Sequence, residues 1–200
     1  MIKTVPSNFI GQKNTGYVLL TLLSEKTRNQ IVSLLKDLSS ELPGVLWPMP
    51  PAQLHITLCE IIQPKPYADD KDILYQQHKD LYENEPSKIL SRLPKFTITL
   101  DTIECSPQAI IVKSSDASSF NHIRDRLVKS LPLPNETRTP PDIIHTSIAR
   151  YLKEVDLESV KQIAAQHKVH IEEEITGFKL IKTKVSPLQE YEVIKNYPLA

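Results

Sequence analysis

Residues 54–62, LHITLCEII, and residues 143–152, IIHTSIARYL, are the two stretches on which the fold turns. Each is of strand length, rich in β-branched and other apolar residues, and delivered by a proline-containing loop: VLWPMPPAQ before the first, LPLPNETRTPPD before the second. Each also carries one pattern, His-x-(Ser/Thr)-apolar, as His55-Ile56-Thr57-Leu58 and as His145-Thr146-Ser147-Ile148. In a chain of this composition about 0.35 such matches arise by accident. Two, inside matching strand-like runs, are therefore informative.

The flanking sequence repeats as well. Upstream of the first motif, Tyr17 to Leu23 reads as a strand and Ser24 as a helix N-cap. Ile31, Leu34, Leu35 and Leu38 then fall on one helical face that ends before Pro43 and Gly44. Upstream of the second motif, FTITLDTIEC and QAIIVKS read as a hairpin around Ser106 and Pro107. Asp116 caps a helix with Phe120, Ile123, Leu127 and Leu131 on one face. The caps lie 92 residues apart and the histidines 90, so a strand, helix, proline loop and His-bearing strand recur at one spacing. The expected fold is α+β and bilobal: two pseudo-symmetric α/β lobes with mainly antiparallel sheets facing a central cleft. Residues 1–15 read as a polar tail, 16–200 as one domain, and 64–92 as a connector or insertion with one or two short helices. A helix near Asp156 to Lys168 and strands near Val169 to Val185 and Glu190 to Lys195 finish the chain.

Composition bounds the function. Lys plus Arg and Asp plus Glu each number 24, so no broad field draws the protein to duplex DNA or anionic lipid. Cys59 and Cys105 have no C-x-x-C spacing and fit a reducing compartment. With no signal-peptide-like start and no run of eighteen apolar residues, the expected protein is cytoplasmic, monomeric and independent of membranes.

On a strand, residues i and i+2 share a face about 6 to 7 Å apart, which sets His55 with Thr57 and His145 with Ser147. If the two strands are central, two imidazoles and two hydroxyls converge on a phosphate-sized site. Two histidines suit attack on a phosphodiester, one taking a proton from the attacking oxygen and the other giving one to the leaving oxygen, with no metal or other cofactor. Thr57 and Ser147 then orient the phosphate. On an unbroken strand Tyr151 shares parity with His145 and can line the cleft, whereas Arg150 points away. Cys59 shares parity with His55 but reads as a buried, inert thiol. Trp47, with Met49, and Arg138 sit in the loops before the motifs; Trp47 can form a stacking lip and Arg138 can touch phosphate. His167 and His170 read as solvated surface residues, and Glu172 to Glu174 as a solvated edge.

The paired HITL and HTSI motifs, with Ala149-Arg150 following the second, resemble the two-histidine (2H) phosphoesterase superfamily, which includes 2′-5′ RNA ligase-like proteins and cyclic nucleotide phosphodiesterases. The resemblance runs from about Tyr17 to Tyr197. It implies a cleft between pseudo-symmetric halves and metal-independent cleavage of 2′,3′-cyclic or 2′-5′ phosphate bonds, with His55, Thr57, His145 and Ser147 as the functional set. Ser147 replaces the commoner Thr and keeps the hydroxyl. The expected substrate is a small nucleotide or RNA terminus. The alternatives are a nucleotide-binding module without turnover and a hydrolase of cyclic or 2′-5′ oligonucleotide signals. The absence of a G-x-x-x-x-G-K-(S/T) loop disfavours ATP-dependent ligation.

Overall fold

The computed structural model describes residues 2–64, 70–138 and 140–200. Strand β1 (Lys13–Leu22) leads through Ser24, whose side chain accepts from Thr27 N, into helix α1 (Glu25–Glu41). The short strand β2 (Leu46–Pro48) and a 3₁₀ turn (Pro51–Gln53) bring the chain to β3 (His55–Ile62). Helices α2 (Lys71–Gln77) and α3 (Lys79–Leu90) follow, then strands β4 (Phe96–Leu100), β5 (Thr102–Cys105) and β6 (Ala109–Lys113). Helix α4 (Ser118–Ser130) and a second 3₁₀ turn (Asn135–Thr137) precede β7 (His145–Tyr151). Helix α5 (Leu157–Ala164) and strands β8 (Ile171–Ile175), β9 (Gly177–Val185) and β10 (Glu190–Pro198) complete the chain.

The strands build one four-stranded sheet in the order β10-β9-β1-β3, another in the order β2-β7-β6-β5, and a two-stranded β4-β8 ribbon. Every pairing is antiparallel. In both four-stranded sheets the motif strand pairs with the strand that feeds the preceding helix, β3 with β1 and β7 with β6. The repeat read from the sequence is thus a repeat of strand, helix and returning strand. No helix among the described residues is long and apolar enough to cross a membrane.

Three sequence expectations change at strand breaks. FTITLDTIEC is two strands, because Asp101 turns out of the ladder and its carboxylate accepts from Ser115 N at 3.0 Å and Ser115 Oγ at 2.5 Å. β4 then pairs with β8 while β5 pairs with β6. The run 169–185 likewise divides at Thr176. The glutamate run is only half a solvated edge: along β8 exposure alternates, and Glu173 is 2% exposed. Its carboxylate accepts from Ser24 N and Ser24 Oγ at 2.7 Å and from Thr27 Oγ1 at 2.5 Å, so an acidic side chain closes the N-terminus of α1, where partial positive charge accumulates.

Helices α2 and α3 supply the short helices expected in the connector. Tyr75 of α2 stacks on Tyr17 with centroids 3.9 Å apart, and Tyr82 of α3 donates its hydroxyl to Pro132 O. Tyr17 and Leu19 face the main core, whereas Val18 and Leu20 belong to a second apolar cluster with Ile181 and Leu188. Leu20 lies opposite Thr57, so α2 packs on the side of the sheet away from the motif. Residues 65–69 lie outside the described residues.

The N-terminal stretch is tied down by backbone bonds: Thr4 N donates to Val155 O, Val5 N to Pro107 O, Ser7 N to Tyr151 O, and Gly11 N to Ser186 O. A polar segment without periodicity is ordered here by main-chain pairing, which composition does not report.

Replacing Glu173 by Ala removes the acceptor of the buried Thr27 hydroxyl and of the amide and hydroxyl of Ser24 at the helix start. Glu173→Ala is expected to lower the unfolding free energy by about 2 to 4 kcal/mol in urea titration, and a loss under about 0.5 kcal/mol contradicts the capping role.

Candidate active site

One register irregularity decides what each motif strand presents. Leu19 pairs with Cys59 but Leu20 with Thr57, which leaves Leu58 as an extra residue in β3. Ile110 pairs with Ala149 but Ile111 with Ser147, which leaves Ile148 as the extra residue in β7. Both bulges fall on the fourth motif residue. A bulge shifts the alternation by one position, so residues beyond it change faces. Burial records the shift identically in both strands: His55, Thr57 and Glu60, and likewise His145, Ser147 and Arg150, are partly exposed, with buried residues between them.

Two expectations drawn from unbroken parity are corrected accordingly. Arg150, expected to point away, lies on the face of His145 and Ser147 and donates from Nη2 to Ser147 Oγ at 3.3 Å. Tyr151, expected to line the cleft, is fully buried in the core. Cys59 is the buried thiol the sequence suggests: its parity with His55 is lost at the bulge, and burial pushes the thiol up to about 12. Trp47 is paired directly with Arg150 across β2 and β7, so it shares that face and stands half-buried beside the guanidinium. Arg138 is exposed, and its Nε–H is given to Leu133 O at 3.0 Å. His167 bonds Glu41 at 2.7 Å through Nε2 instead of standing free in solvent, while His170 is exposed.

The two imidazoles are close enough for a charge on one to act on the other. Burial, then His55, Arg124 and Arg150, hold the His145 ring down at about 4. His55 is also held below the ordinary histidine range by burial, against a hydrogen bond of 2.7 Å from its ring to Gln53 O and with Arg150 adding to the lowering. Gln53 O can only accept, so Nδ1 of His55 carries the proton and Nε2 is left for chemistry. With both rings neutral at pH 7, the pair offers two proton acceptors beside a cation, an arrangement that an anion completes.

Arg124 supports the motif strand and is a residue that the sequence reading missed. It rises from α4, is 2% exposed, and donates from Nε to Leu58 O at 2.9 Å and from Nη2 to Thr57 O at 3.0 Å. Nη1 reaches Asn121 Oδ1 at 3.0 Å. It thus clamps β3 at its bulge, and burial pulls its guanidinium down to about 10. The signal was present: Arg124 is four residues from Phe120 and adjacent to Ile123, on a stripe otherwise apolar. Lys113, opposite His145 on β6, is engaged by Glu104 at 2.5 Å. Among the described residues no group of three or more His, Cys, Asp or Glu side chains is placed to hold a metal ion.

Comparison with known proteins agrees with this geometry. Residues 47–187 match the model of the 2′-5′ RNA ligase superfamily, and the chain belongs to that family. It is thereby a member of the two-histidine phosphoesterases, with a function of phosphoesterase type. The fold is similar to that of TT0787 from Thermus thermophilus, at 18% identity over 92% of this chain and 97% of that one, with a TM-score of 0.65. It is also similar to E. coli LigT in its complex with phosphate, at 15% identity over 94% of this chain and 99% of that one, with a TM-score of 0.63. A search of curated proteins returned no match.

The depressed histidine has a measurable consequence. A base whose folded-state pKa lies below its unfolded value takes up protons on unfolding between the two. Stability is therefore expected to fall as pH drops from about 6.5 toward about 4, and the His145 ring to titrate by NMR with a midpoint near 4. A midpoint at the ordinary 6.5 contradicts the burial assigned to it.

Proposed function

We propose that the protein is a metal-independent phosphodiesterase that cleaves 2′,3′-cyclic or 2′-5′ phosphodiester bonds in small nucleotides or at RNA termini. The observation that carries the reading is the placement of His55 and His145 on facing motif strands within each other's electrostatic reach, with Arg150 acting on both rings. In the reaction one imidazole takes a proton from the attacking water while the new P–O bond forms. The other donates a proton to the ribose oxygen as the old P–O bond breaks. Attack and departure on opposite sides of phosphorus require two groups, and the duplicated strand supplies one from each half.

The donor needs an imidazolium, and the protein without ligand holds both rings neutral. A phosphate anion entering the site favours the charged form of its neighbours and provides that proton uptake on binding. His55 is already oriented by the Gln53 carbonyl, so Nε2 faces the reaction. Thr57 and Ser147 supply hydroxyls for nonbridging oxygens. The Arg150 guanidinium, bonded to Ser147 Oγ, adds a charge-assisted donor. The E. coli LigT structures with phosphate and with 3′-AMP show that a protein of this fold accepts such groups, which supports the reading.

Zero formal net charge favours a short ligand over a long RNA, since contacts to many phosphates call for a basic stripe. A nucleotide-binding module without turnover needs no acid-base pair, and the matched histidines and hydroxyls of both halves favour catalysis over it. A hydrolase of 2′-5′-linked or cyclic oligonucleotide signals shares the same chemistry and differs only in substrate.

The test is product analysis with EDTA present, against a 2′,3′-cyclic nucleotide, a 2′-5′ dinucleotide and an RNA ending in a 2′,3′-cyclic phosphate. Turnover is expected to persist in EDTA and to fall about 10² to 10⁴-fold in His55→Ala and in His145→Ala alike. Retention of full activity in either variant overturns the two-histidine mechanism; tight nucleotide binding without turnover supports the binding-module reading instead.

A further inference from the structure

Residues 2–12 precede the 47–187 region that the family model covers, yet they reach the candidate site. Their backbone is anchored at both ends of a span. On one side, Thr4, Val5 and Ser7 donate to Val155, Pro107 and Tyr151, which flank β7 and the β5–β6 turn. On the other, Gly11 N donates to Ser186 O, and Ser186 N donates to Gln12 O at 2.9 Å, in the turn between β9 and β10. The segment therefore straps the sheet that carries His145 to the sheet that carries His55. Between the anchors lies Phe9, whose ring is covered by the Arg150 guanidinium at 5.3 Å from the centroid.

Arg150 is the residue such a contact can matter for. Among the described residues no carboxylate pairs with it, and its Nε is buried with no hydrogen-bond partner. A long side chain with a free Nε and one donor bond of 3.3 Å to Ser147 has several rotamers to choose from. The Phe9 ring supplies one flat face against which the guanidinium can lie, and Trp47 is the cross-strand neighbour of Arg150. Its charge is desolvated without being neutralised, which raises its value to an incoming anion.

We propose that Phe9 is a positioning residue of the site: the N-terminal strap carries it across the two sheets to hold the Arg150 guanidinium in the orientation that receives the substrate's phosphate. This deepens the phosphodiesterase reading and rests on the phosphate site that reading assigns. Phe9 acts on binding, through Arg150, and leaves proton transfer at the histidines to proceed at its own rate.

The probe is inorganic phosphate, titrated calorimetrically into the full chain. Phe9→Ala is expected to weaken phosphate binding about 3- to 30-fold, the range for a partly desolvated cation–π contact, with Phe9→Tyr restoring it to within about twofold. In the Arg150→Gln background, Phe9→Ala is expected to have no further effect. With a turned-over substrate, KM rises by the same factor while kcat stays within about twofold. Unchanged phosphate affinity in Phe9→Ala, equal damage by Phe9→Ala and Phe9→Tyr, or an additive effect in the Arg150→Gln background overturns the proposal. The two levels separate cleanly: phosphate affinity unchanged by Arg150→Gln sinks the part of Arg150 in the phosphate site, whereas weakened but measurable binding in Arg150→Gln with a silent Phe9→Ala sinks only the role of the strap.

Discussion

The candidate site depends on one extra residue in each of two strands. Leu58 and Ile148 interrupt their antiparallel ladders at the same motif position, and each interruption returns the following residue to the core while bringing the next one to the histidine face; β3 carries a second shift farther on, at Ile61. Without the second bulge, Arg150 would be buried behind the sheet and Tyr151 would share the face of His145. A neutral phenol would then replace the cation. The chemistry available to the site is thus fixed by backbone register as much as by residue identity, and the two halves differ at the position the bulge controls: Glu60 in β3, Arg150 in β7.

Register of this kind needs support, because a bulge breaks the ladder and leaves carbonyls to be satisfied. In β3 the support is Arg124, whose guanidinium takes the Thr57 and Leu58 carbonyls together. In β7 the corresponding Ile148 carbonyl accepts from Met49 N at 2.8 Å, beside the short strand β2. The same need is met by a side chain in one half and by a backbone strand in the other. That difference places Trp47 next to Arg150 and gives the second half its flat, partly aromatic surround. The strap adds Phe9, whose ring lies under the Arg150 guanidinium.

Much of this was legible in the sequence. Ser24 caps α1 as the sequence suggests, whereas α4 starts one residue later than read, with Ala117 at the cap position and Asp116 accepting from Ser118 N at 2.8 Å; the strand-helix-strand units still recur close to the 90-residue offset of the histidines. Within each strand the two motif residues share a face, His55 with Thr57 and His145 with Ser147, because two-residue periodicity holds up to the bulge. What failed beyond it failed for a physical reason: LCEII and IARYL are apolar on both sides of the insertion, so neither run announces a change of face. Arg124 was visible as a cation on an apolar helical stripe, but only a structure supplies the carbonyls that make its burial tolerable. The strap was invisible altogether, since VPSNFIGQ has no periodicity and its order comes from main-chain bonds to Val155, Pro107, Tyr151 and Ser186.

The central claim is that His55 and His145 face one shared phosphate site. It is tested most directly by titrating inorganic phosphate into the protein while following both imidazole rings by NMR. The account predicts that the two rings shift together with one dissociation constant and that both move toward the imidazolium form as phosphate binds. Phosphate that perturbs only one ring, or two rings with unrelated affinities, contradicts a shared site.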